Sequence, residues 1–173
     1  MKMQCRMLLL TNERGMNMKT YKLFRKKNGK LYPLFVNANK ETPIGEWIDA
    51  EVGDKKDETH VKSRLGSLSL RPGWHSTEIP FTDWIGERQS DGSLAQRKGT
   101  IWCECEVEGE QLQVTSRYGS RELLNGWYYF RTNSKQIDPW IISNKIKVTR
   151  ILSNEEVTEI CRANGKEPQK IAE

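Results

Sequence analysis

Thr100-Ile101-Trp102-Cys103-Glu104-Cys105-Glu106-Val107-Glu108 alternates without a break. At a period of two, Ile101, Cys103, Cys105 and Val107 share one face of a strand, and Trp102, Glu104, Glu106 and Glu108 share the other. One apolar face and one charged face imply a sheet buried on one side and wet on the other, as antiparallel sheets are.

Working outward, Tyr21-Lys22-Leu23-Phe24-Arg25 also alternates, and Asn28-Gly29 is a hairpin turn before Leu31-Tyr32-Pro33-Leu34-Phe35-Val36. Pro33 suits an edge or a bulge of the second strand. Pro43 to Ile48 is a short extended piece anchored by Trp47. Glu51 to Lys62 reads as a loop or mobile insertion, and Ser63 to Leu70 alternates only in part. Thr82 to Gly86 suits a helical turn or anchored loop, and Glu87 to Gly99 an exposed connection. Residues 109–125 are polar. Beyond them, Gly126 to Arg131, Pro139 to Ile142 and Ile146 to Leu152 are strand-like, with a bend at Ser143-Asn144-Lys145. Ser153 and Glu156 form a capping box that opens a helix with the stripe Val157, Ile160, Cys161. Asn164-Gly165 closes the helix, and Glu167 to Glu173 is expected to fray. The expectation is one α+β domain over residues 18–166, a bent or split, mainly antiparallel sheet with few helices.

Leu70-Arg71-Pro72-Gly73-Trp74-His75-Ser76-Thr77 is the densest stretch chemically. Pro72-Gly73 predicts a turn from which the chain leaves extended, with Trp74 and Ser76 on one face and His75 and Thr77 on the other. His75 is the candidate acid or base because its reference pKa is near neutral and hydroxyls adjoin it. No Asp or Glu is spaced as its obvious orienting partner. Glu104 and Glu106, about 7 Å apart along one strand face, suit carboxylate chemistry or, equally, a solvated surface. Cys103 and Cys105 have no second pair or nearby His to complete a metal site, so no metal is expected. The Trp127 to Phe130 run reads either as a base-stacking platform or as core.

The chain of 173 residues, 36% hydrophobic with six Trp, suffices for one compact core. It has no apolar run long enough to span a bilayer and no secretory h-region, so no membrane partner and a soluble, cytoplasmic protein are expected. Four cysteines without a framework spacing read as reduced thiols. Three cations and one carboxylate within residues 1–17 supply +2 of the formal net charge of +5, leaving +3 for the rest. Residues 1–17 read as a leader or non-native, disordered extension: Glu13-Arg14-Gly15 can be encoded by a purine-rich run resembling a ribosome-binding site, ahead of starts at Met16 or Met18. Lys22, Lys26, Lys27 and Lys30, with Arg25, and again Lys145, Lys147 and Arg150, form the candidate polyanion-binding patches, with Trp74 as an aromatic binding residue.

The order Tyr21–Arg25, Gly73-Trp74-His75-Ser76-Thr77, Ile101–Val107, Ile141-Ile142 and Ile146–Leu152 resembles the succession in ADP-ribosyltransferase-like domains. That resemblance, over roughly residues 20–152, implies NAD as cofactor, Arg25 or His75 gripping the nucleotide and Ser76 or Thr77 shaping the pocket. The carboxylate that such enzymes place at a late strand is answered here only by Asp138, or in space by Glu104 or Glu106. A degenerate domain that binds without turnover is the other implication. Tyr21–Arg25, Arg71–His75 and Trp140–Ile142 also resemble small proteins of phages and mobile elements of gut bacteria. That likeness implies an accessory protein with no cofactor, binding a host protein or nucleoprotein such as a defence complex. An active NAD-dependent mono-ADP-ribosyltransferase and a nucleic-acid-binding protein are the alternatives.

Overall fold

The alternating segment Thr100–Val107 is the centre of the structure, a computed structural model that describes residues 17–172. The leader expected over residues 1–17 falls, apart from Asn17, outside the described residues. In chain order the elements are β1 (Met18–Lys27), β2 (Lys30–Tyr32), β3 (Trp47–Asp49), β4 (His60–Ser63), β5 (Gly66–Ser69) and β6 (Trp74–Ser76). There follow β7 (Glu87–Arg88), β8 (Leu94–Ala95), β9 (Thr100–Val107), β10 (Trp127–Phe130), β11 (Trp140–Ser143), β12 (Lys145–Ile151) and the helix α1 (Asn154–Ala163).

β9 lies between β1 and β12, both antiparallel to it, and the main sheet runs β2-β1-β9-β12-β3. A second sheet runs β10-β11-β6. The two sheets are continuous at two places. β11 bends straight into β12 at Asn144, whose N–H donates to the Gly126 carbonyl at 3.0 Å while its own carbonyl accepts from the Ala50 N–H at 2.7 Å. At the other junction Tyr21 and Thr77 exchange two backbone hydrogen bonds of 2.8 Å, joining β1 to the end of β6. The result is a curled half-barrel of mainly antiparallel strands with one helix on its outer side among the described residues, in keeping with the α+β expectation.

Curling separates the two faces that the alternation predicts. Phe24, Cys103, Cys105, Val107, Ile141, Ile146 and Val148 fill the concave side. Full burial of each large aliphatic there contributes about 1.5–3 kcal/mol. On the convex side Val157 and Cys161 of α1 pack on Tyr21, Leu23, Trp102 and Leu152. The helix starts as expected, with the Ser153 hydroxyl accepting from the Glu156 N–H at 3.1 Å and the Glu156 carboxylate accepting from the Ser153 N–H at 3.2 Å.

Several local expectations change. β2 ends at Tyr32, because Pro33 has no N–H to continue the ladder. Residues 60–69, where alternation is partial, form the β4–β5 hairpin, and the connection after Gly86 contains the small β7–β8 hairpin around Asp91-Gly92. The end of the chain is held rather than frayed: Gln96 donates to the Lys170 carbonyl and accepts from the Ala172 N–H, both at 2.8 Å. Gly73 adopts φ of 130°, and a Cβ there would stand 2.5 Å from the Ile142 side chain, so only glycine lets β6 approach β11 this closely. No helix among the described residues is long and apolar enough to cross a membrane.

Candidate functional site

β1 is longer than its partners, and the sheet splits along it. On the edge of β1 away from β9, the C-terminal end pairs with β2 from Arg25 onward, whereas Tyr21 meets Thr77 beside β6. Among the described residues no strand lies against that edge between these two points. Because hydrogen-bonding direction alternates along an antiparallel strand, the Leu23 N–H and C=O turn into this gap. A cleft of about 800 Å³ opens there, with Lys22 and Leu23 on its floor. Phe35, Trp74, His75, Trp84, Trp102 and Trp140 line its walls, and the β4–β5 hairpin contributes Leu65 and Leu68.

Lys22 belongs to the concave face by alternation, so its side chain runs inward rather than into solvent. Its Nζ donates to the His75 carbonyl at 2.8 Å and lies 5.5 Å from the Phe24 ring centre and 5.9 Å from that of Trp74. Desolvation by these surroundings pushes its pKa down to about 8. His75 points to the opposite face of β6, edge-on to Trp140 with ring centres 5.8 Å apart. Its Nδ1 lies 3.1 Å from the Gly73 carbonyl, which only accepts, so Nδ1 carries the proton and Nε2 is a bare acceptor. Burial, then Lys22 and Arg71, lowers the imidazole pKa to about 3, and His75 is neutral at physiological pH.

The cleft is electropositive. The acids along it are paired: Glu41 with Lys30, Asp49 with Lys145 and Glu51 with Lys40. Lys22, Arg71 and Arg97 also line it and have no carboxylate partner among the described residues. Arg71 lies over the Phe130 ring at 3.9 Å and donates to the Tyr118 carbonyl at 2.9 Å, while Arg97 donates to the Ile85 carbonyl at 2.8 Å.

The residues singled out from sequence are distributed differently. Arg25 donates to the Pro33 carbonyl at 3.1 Å and to the Ala38 carbonyl, tying down the loop after β2. The Ser76 hydroxyl donates to the Ile141 carbonyl at 3.4 Å, and the buried Thr77 hydroxyl lies 2.6 Å from the Ile79 carbonyl. Glu104 and Glu106 lie on the convex face. Glu104 accepts from Arg150 at 3.2 Å and from the Thr149 hydroxyl at 3.1 Å, and pairs with Lys19 at 3.4 Å. Against the desolvation of its partial burial, these groups hold its carboxyl below the ordinary value. Glu106 pairs with Lys147 at 3.2 Å, and Asp138 pairs with Lys166 at 2.8 Å beside a small separate recess.

Thus His75 is brought to the cleft together with Lys22 and Trp74, while Glu104, Glu106 and Asp138 are not. The basic residues divide as well. Lys26 and Lys27 are exposed at the β1–β2 hairpin, Lys30 and Lys145 are the partners of cleft acids, and Lys147 and Arg150 belong to the convex ion pairs, Arg150 also reaching Glu156. Cys103 and Cys105 are buried side by side on the concave face, where desolvation pushes the Cys103 thiol up to about 12 and the Cys105 thiol higher still, so neither is a ready thiolate. No group of three or more metal-ligating side chains occurs among the described residues. Arg71 and Arg97 were not distinguishable in the sequence from other surface cations; only the turn that follows Arg71 hinted at its place. Comparison with protein-family models, curated proteins and solved structures finds no match to this chain.

Proposed function

We propose that this is a binding protein that acts without turnover, an accessory protein of a phage or mobile element that engages a host protein through an anionic group received in the cleft at β1. The observation that carries this reading is the charge inventory of the cleft: three cations without counter-carboxylates, aromatic walls and no free acid placed for proton transfer. A neutral imidazole with its pKa near 3 is a weak base at pH 7. Recognition of a carboxylate or phosphate needs only donors and shape, both of which the cleft has.

The competing reading is an NAD-dependent ADP-ribosyltransferase. It draws support from the size of the cleft and from the mixture of cations and aromatic rings, which suits a nucleotide. It requires a carboxylate near the ribose, and Glu104, Glu106 and Asp138 are committed elsewhere.

Calorimetric titration of NAD into the protein, repeated with Arg25→Ala and His75→Ala, separates the two. Under the binding-protein reading there is no saturable NAD binding and no nicotinamide release. Capture of a host protein from bacterial lysate is lost with Arg71→Glu and kept with Lys27→Glu. Saturable NAD binding weakened by either alanine substitution, with nicotinamide released, replaces that reading with the transferase.

A further inference from the structure

We infer that Lys22 is a covalent carbonyl-trapping site, whose amine condenses in the cleft with an aldehyde that carries a flat ring and an anionic group. The inference rests on the reading of the cleft as the ligand site and adds the chemistry by which one class of ligand is held.

Four observations converge on this lysine. It lines a cleft of about 800 Å³, room for a small aromatic ligand. It has no carboxylate partner among the described residues, whereas Lys19, Lys40, Lys147 and Lys166 are each ion-paired. Its ammonium donates to a neutral carbonyl, that of His75, and to no other group among the described residues. The Trp74 ring beside it is held in place by an indole N–H bond of 3.0 Å to the Ile48 carbonyl, so the amine faces a rigid wall. Desolvation adds to these. With a pKa near 8, roughly a quarter of the side chain is free amine at pH 7.5, against about one part in a thousand for an ordinary lysine.

The condensation balances within the pair. The Lys22 lone pair forms a C–N bond to the aldehyde carbon, and the carbonyl π electrons move to oxygen, which takes up a proton. The amine proton passes to solvent. The nitrogen lone pair then forms the C=N bond as the C–O bond breaks; the leaving hydroxyl takes a proton from solvent, the remaining N–H proton returns to solvent, and one water leaves for each imine formed. Arg71 and Arg97, also without carboxylate partners, select an aldehyde bearing phosphate or carboxylate.

The test uses the whole protein with pyridoxal 5′-phosphate below stoichiometry, borohydride reduction and peptide mapping by mass spectrometry. The expected result is that Lys22 carries most of the label, with a labelling rate that rises with a midpoint near pH 8. Lys22→Arg removes that label, and pyridoxal without the phosphate labels Lys22 at least about tenfold more slowly once both rates are divided by those at the exposed Lys26, which cancels the internal hemiacetal of pyridoxal. Label spread evenly over exposed lysines such as Lys26 and Lys27, with Lys22 bare in the folded wild-type chain, overturns the inference. Equal rates for pyridoxal and its phosphate overturn the requirement for an anion. A chain that traps the aldehyde but captures no host protein retains this site and loses the binding-protein reading; the opposite pair of results does the reverse.

Discussion

The two faces of β9 and its neighbours carry charge in opposite ways. On the convex face Glu104 and Glu106 stand among Lys19, Lys147 and Arg150, both within 3.4 Å of a cation. On the concave side, one residue along from Lys19-type positions, Lys22 turns inward to aromatic rings and a carbonyl with no acid beside it. Surface ion pairs of the first kind, each still partly reached by water, contribute little to stability because water also solvates the separated charges. A half-buried cation of the second kind costs stability. Under the proposed binding function that cation is the one that meets the ligand, although the sequence displays its charges most openly on the convex side.

The largest effect should come from His75. Its pKa falls from an ordinary 6.5 to about 3 on folding, so the unfolded chain takes up a proton first as pH drops. The stability it contributes is full above pH 6.5 and is lost progressively down to pH 3, on the order of 5 kcal/mol at most. His75→Asn, neutral throughout, should flatten that part of the acid unfolding curve relative to wild type. Identical acid profiles would mean that the imidazole is solvated and the two faces are alike.

Lys22 should act next, with the opposite dependence. Its pKa falls from an ordinary 10.5 to about 8, so the full penalty is present below pH 8 and is relieved as pH rises toward 10.5. Relative to Lys22→Met, wild type should gain on the order of 3 kcal/mol across that window. Below pH 8 the methionine variant should be at least as stable as wild type in urea. A loss of stability with Lys22→Met at neutral pH would show that the ammonium is a structural anchor rather than a cost.

The convex face should respond least. Glu106→Gln removes the charge that faces Lys147 at 3.2 Å, and unfolding at low salt should register a loss under about 1 kcal/mol that disappears near 1 M salt. A salt-independent loss above about 2 kcal/mol would erase the contrast between the faces.

Much of the fold was legible. The strand over Thr100–Val107, the Asn28-Gly29 turn and the capping box at Ser153 follow from local period, turn and cap chemistry; the bend at Asn144 was also expected, although remote partners, Gly126 and Ala50, hold it. β4 and β5 were less clear because Gly66 to Ser69 is exposed on both faces and the stretch alternates only in part. The tail at Lys170–Ala172 was missed because its partner, Gln96, is remote in sequence.

The candidate site divides along the same line. Trp74 and His75 were visible as a dense pair after a forced turn, and Lys22 as one cation in a basic run. What Lys22 faces was not visible, because the strand alternation that sends it inward says nothing about which strands then leave a gap beside it.

The sequence by itself determined the local geometry of this protein: which residues alternate, where the chain turns, where the helix begins, and that the acids and thiols of the central strand take opposite faces. Only the tertiary structure decided that β1 pairs with β2 at one end and meets Thr77 at the other, opening a cleft between them. That outcome depends on pairings between residues as distant as Tyr21 and Thr77, and on the packing of Gly73 against Ile142, which no local period encodes. The charge balance of the cleft follows from the same cause, since Glu104 and Glu106 take one face of β9 while Lys22, on the strand beside it, takes the other.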